Sequence, residues 1–90
     1  MRSSPIVPVP ANLAEAALGA RWQVALVQAP AAAPEWAGWL AEIGFLPGEL
    51  VSVMARGLPG SDPLVVRIGQ STFALRRAEA ACIKLQAPHG

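Results

Sequence analysis

Large apolar side chains recur at every second residue in several short runs of this chain, and at every third or fourth residue in one other. The first alternating run, residues 21–28, reads RWQVALVQ. Trp22, Val24, Leu26 and Gln28 fall on one face of a strand, and Gln23, Ala25 and Val27 on the other. Trp22, Val24 and Leu26 are the expected core side. Trp36, Trp39, Leu40 and Ile43 then follow at i, i+3, i+4 and i+7, which is one face of a helix. Pro34 suits the first turn of that helix, where a missing N–H costs nothing. Gly44 stands where a left-handed residue ends a helix, Phe45 can fold back onto Leu40, and Pro47 prevents continuation.

Alternation returns in residues 50–56, with Val51, Val53 and Ala55 on one face. The phrase GLPGSDP is turn chemistry. Leu64, Val66 and Ile68 face one way, and Phe73 and Leu75 continue that face after a two-residue turn at Gly69 and Gln70. A glycine leading such a turn fits a type II′ hairpin. Residues 77–81 can make one helical turn, and residues 82–86 form a last strand with Ile83 and Leu85 inward. Upstream, Asn12 is a fair N-cap for a turn over residues 13–17, ended by Gly19. Residues 1–11 carry Pro5, Pro8 and Pro10 and are expected to be loose, and residues 87–90 a frayed tail, leaving a domain over 12–86. Short strands with a helix inserted after the first predict a mainly β fold, a small antiparallel sheet that closes into a barrel to hide its edges.

Composition narrows the function. The chain of 90 residues is 53% hydrophobic and only 14% charged. Too few charges remain to cover the surface, which favours a partner or self-association into a homo-oligomer. The net charge is +1 and the basic residues are scattered apart from Arg76 and Arg77, so no basic stripe for nucleic acid exists. One cysteine rules out an intramolecular disulfide and fits a reducing cytoplasm. Prolines interrupt any signal-like apolar run near residue 1, and no run approaches a membrane span, so a cytoplasmic protein without direct membrane insertion is expected.

Catalytic machinery is not evident. The one histidine, His89, is one residue from the end of a tail expected to be mobile, and the carboxylates sit on separate elements. Cys82 opens an apolar strand and reads as a buried, inert thiol. Glu79, Cys82 and His89 have metal-ligand chemistry but no standard spacing, so no metal ligands are assigned. Weak surface binding of a divalent transition metal stays open, and no cofactor is expected. The glycines match no phosphate-cradling motif. Trp36 and Trp39 are core positions first, yet two indoles on one short helix can leave an edge for a partner. Arg76 and Arg77 are solvated charges first and contacts for an acidic partner second.

Taken together, the phrases resemble the FeoA family, small cytoplasmic proteins of bacterial ferrous iron uptake. The family's helix-ending phrase is matched by Leu40, Ile43, Gly44, Phe45, Pro47 and Gly48, the next strand by Val51 and Val53, and its turn by Pro59, Gly60, Asp62 and Pro63. Gly69, Ala74, Leu75, Arg76, Glu79, Ala80 and Ile83 complete the pattern, and Leu13, Leu18 and Gly19 resemble its opening. Trp39 stands where the family usually has Arg. The resemblance covers residues 12–86. It implies a small SH3-like five-stranded β-barrel with one inserted α-helix and a short helical turn before the last strand. It also implies a non-enzymatic accessory role and a partner, a FeoB-type membrane transporter with a GTP-binding domain. Trp36, Trp39, Leu58, Arg76 and Arg77 are the expected partner contacts. A second reading is a metal-ion-binding regulatory module, because the same barrel resembles the C-terminal domain of iron-dependent repressors; no DNA-binding helix pair precedes it here. A proline-peptide binder ranks last, for want of an aromatic groove.

Overall fold

In the computed structural model, which describes residues 8–57, 60 and 62–88, the chain begins with a 3-10 turn over Leu13–Glu15. It continues through β1 (Trp22–Val27), α1 (Glu35–Glu42), β2 (Leu50–Arg56), β3 (Leu64–Ile68), β4 (Ser71–Leu75), α2 (Arg77–Ala80) and β5 (Ile83–Gln86). Residues 1–7 of the expected loose lead-in, Leu58 and His89 lie outside the described residues.

The strands form one antiparallel sheet in the order β4-β3-β2-β1-β5. The two edges are therefore β4 and β5, and α2 bridges them along the chain. Leu75 from one edge and Ile83 from the other belong to the same buried cluster as Val53 at the centre. Only a curled sheet brings both edges onto one core, which makes the fold a partly open barrel. The 3-10 turn packs against β2, β5 and α2, and α1 packs against β1.

The helix stop is built as its residues predict. The Gly44 N–H donates to the Ala41 carbonyl at 3.1 Å and the Phe45 N–H to the Leu40 carbonyl at 3.0 Å. That pair of bonds is a Schellman motif, and it needs the φ of +119° that Gly44 adopts. It turns Phe45 into the core, where it is fully buried and lies 6.3 Å from the ring of Phe73.

Strict alternation fails at two places. In β1 the register shifts between Val24 and Leu26, so Leu26 stands opposite Lys84 and is 49% exposed, while Val27 packs on the core. In β2 it shifts between Val53 and Ala55, leaving Ala55 exposed and Arg56 half-buried, with its guanidinium donating to the Ala16 carbonyl. Leu26 and Ala55 are thus not core residues. An extra residue in one strand of a ladder sends every later side chain to the other face.

Candidate functional site

Two concavities mark the surface. The first has a volume of about 340 Å³ and lies where the outer face of β2 meets the Gly19 turn and the β3-β4 turn. Val51 and Val53 point inward, so Leu50, Ser52 and Met54 point out. Leu50 and Met54 leave 39% and 49% of their surface open to solvent. Ser52 is buried between them, and its hydroxyl donates to the Met54 thioether at 3.4 Å. Arg67, directly across the ladder from Ser52, and Arg21 line the same hollow. Among the described residues neither guanidinium lies within 4.0 Å of a carboxylate. Arg67 Nε donates to the Gly69 carbonyl at 3.3 Å.

The second groove, about 590 Å³, runs between the loop at Pro30, Trp36 of α1, Ala78 and Ala81 of the α2 turn, and Lys84 of β5. Its floor includes Cys82, 3% exposed, whose thiol donates to the Ala78 carbonyl at 3.5 Å. Burial raises the Cys82 pKa above the ordinary thiol value, with Lys84 pulling it down and Glu79 pushing it up. A neutral, enclosed thiol is a poor nucleophile and a poor metal ligand.

The expected partner contacts among the described residues do not all line one groove. Trp36 lines the second groove and is half-buried against the core. Trp39 is 40% exposed and lines neither groove. Arg76 and Arg77 are exposed at the start of α2. Their backbone is engaged: the Arg76 N–H donates to Glu79 Oε1 at 2.8 Å and the Arg77 N–H to Asp62 Oδ1 at 3.0 Å. The Arg77 guanidinium also pairs with Glu15 at 3.5 Å across open surface. Leu58 lies outside the described residues. Sequence reasoning passed over the outward row Leu50, Ser52 and Met54, although large apolar residues at outward strand positions were a usable signal.

A metal does not fit the described residues. No three His, Cys, Asp or Glu among them converge on a point where one ion could sit. Glu79 is turned back onto the Arg76 N–H, and Cys82 is bonded to its own helical turn. No helix among the described residues is long and apolar enough to cross a membrane.

The FeoA domain model matches residues 11–87. The chain belongs to the FeoA family. Its fold is that of solved FeoA structures. One is FeoA of Stenotrophomonas maltophilia, complexed with zinc and described as a prokaryotic SH3 domain protein suggested to act as a ferrous iron transport activating factor. The identity is 37% over 83% of this chain and 88% of that one, with a TM-score of 0.75. FeoA from Chlorobium tepidum is 28% identical over 88% of this chain and 71% of its own, with a TM-score of 0.70. Iron(II) transport protein A from Clostridium thermocellum is 26% identical, with a TM-score of 0.69; the match takes in 84% of this chain and 44% of that longer protein. No curated protein matches the chain. The SH3-like fold that the family resemblance implied is therefore the fold of this chain.

Proposed function

We propose that this chain is a cytoplasmic, non-enzymatic accessory factor of ferrous iron uptake that binds or regulates a FeoB-type membrane transporter carrying a GTP-binding domain. Membership of the family carries the reading, together with the role suggested for the 37%-identical relative. The surface supports it. The described residues hold two partly apolar hollows, one of them flanked by Arg21 and Arg67, which suit contact with a partner. Trp36, Trp39, Arg76 and Arg77 remain the proposed contacts on the α1 and α2 side, with Leu58 as the loop contribution.

The test is deletion of the gene with measurement of ferrous iron uptake, beside a binding assay with the transporter's soluble GTP-binding domain. Lower uptake, restored by the intact gene, is expected. Unchanged uptake together with no binding sinks the reading. The zinc in the Stenotrophomonas relative favours a second reading, a metal-responsive module. The dispersed donors oppose it, and a calorimetric titration with Fe(II) and Zn(II) that shows no saturable site removes it.

A further inference from the structure

The hollow on the outer face of β2 shares no lining residue with the Trp36 groove. We propose that it is a docking site for an acidic, apolar segment of a partner protein, with Leu50 and Met54 receiving an apolar side chain and Arg21 and Arg67 its neighbouring carboxylates. The inference extends the partner-binding reading to a specific surface and does not depend on which protein the partner is.

Several observations meet there. Leu50 and Met54 are both exposed large apolar side chains, and they sit on the same strand face around a concavity. Methionine adapts its shape to what it meets, which suits it to a contact that must accept a segment arriving from outside. Ser52 is a buried polar side chain on the floor of the hollow, and its hydroxyl has only a thioether for a partner. A thioether is a weak acceptor, so the floor of the hollow keeps hydrogen-bonding capacity for a ligand. A mostly apolar hollow with a few convergent polar groups is the usual make-up of a binding site.

The charge sets the chemistry of the occupant. Arg21 and Arg67 flank the hollow without a carboxylate in pairing range among the described residues. Glu49 stands at the Gly69 rim, its Oε1 3.6 Å from where a Cβ on Gly69 would lie, yet it pairs with neither arginine. A guanidinium presents a planar fork that matches a carboxylate. Two such forks around one small hollow fit one or two carboxylates. They do not make a membrane-binding surface, which takes clusters of about 4–8 basic residues. The protein has 7 Lys and Arg in all, spread over several elements.

The experiment follows backbone amide shifts of the full chain during titration with three probes. These are the capped peptide acetyl-Leu-Glu-Leu-Glu-Leu-amide, its counterpart with Lys in place of Glu, and phosphatidylglycerol vesicles. The acidic peptide is expected to move the amides of Arg21, Leu50, Ser52, Met54 and Arg67 in a saturable way, and added salt to weaken it. The basic peptide is expected to leave them in place. Arg21→Glu with Arg67→Glu, both exposed and remote from the core, is expected to weaken binding at least about tenfold while the rest of the spectrum is preserved. Equal response to both peptides, shifts confined to other surfaces, no shifts at millimolar peptide, or preferential binding to the vesicles overturns the proposal. None of these outcomes bears on iron uptake, so the site can fail while the transporter reading stands, and the reverse.

Discussion

At the scale of single residues, backbone geometry explains the glycines better than any ligand does. Gly57 is the tightest case. A Cβ there would lie 2.8 Å from the Asp62 carbonyl oxygen and 2.9 Å from that of Pro63. Both obstacles are backbone, which cannot swing aside. Gly57→Ala is expected to destabilise the protein by about 1–3 kcal/mol, read as a lower midpoint in urea unfolding. Cys82 makes a pH prediction. Its folded pKa is raised by burial above the ordinary thiol value of 9.0. Below that value both states hold the proton, and the thiol adds no pH dependence. As pH rises past it, the unfolded chain releases the proton first and stability falls until the folded pKa is passed. Urea unfolding across the alkaline range should therefore show a loss of stability that Cys82→Ser removes. Alkylation of the native thiol at neutral pH should be slow, and fast once the chain is unfolded.

At the scale of elements, α2 shows why separated phrases of sequence belong together. Asp62 lies near the end of the β2-β3 loop, and Glu79 lies within α2. Their carboxylates accept the Arg77 and Arg76 N–H groups at one helix start. Asp62→Ala is expected to cost about 1 kcal/mol, the usual loss of a capping side chain; a melting temperature within error of the unaltered protein would disprove the capping role. The bulges supply a contrast. Leu26 sits past the β1 register shift, so Leu26→Ser is expected to change stability by no more than about 0.5 kcal/mol. Phe45, fully buried behind the α1 stop, should cost about 3–5 kcal/mol as Phe45→Ala. The order of elements along the chain, the α1 cap, the two-residue β3-β4 turn and the β2 limits were all legible beforehand. Each rests on a local pattern of Gly, Pro and alternating apolar residues. The fates of Leu26 and Ala55 were not, because a bulge depends on the partner strand and leaves no mark in the strand that carries it.

At the scale of the whole molecule, a small core coexists with a surface rich in apolar side chains. Leu18, Leu26, Trp39, Leu46, Leu50 and Met54 are all exposed among the described residues. Replacing Leu50 and Met54 together by Ser should leave the melting temperature within a few degrees of the original, about what 0.5 kcal/mol moves in a domain of this size. A collapse of stability would show that they are structural and not free for a partner.

By itself the sequence determined the family, the elements and their stops. Those are decided by short-range rules: φ at Gly44, the missing N–H of proline, and the two-residue period of a strand. Tertiary structure alone decided which outward residues became neighbours. Arg67 faces Ser52 because β3 pairs with β2 in one register, and Arg21 reaches Ser52 from the other side because Trp22 pairs with Val51 in the antiparallel β1-β2 ladder. Asp62 meets α2 because the barrel brings the β2-β3 loop against it. Such meetings depend on the path of the chain through space, which no spacing along it records. The arginine-rimmed hollow, built wholly from such meetings, was therefore invisible until the strands were paired.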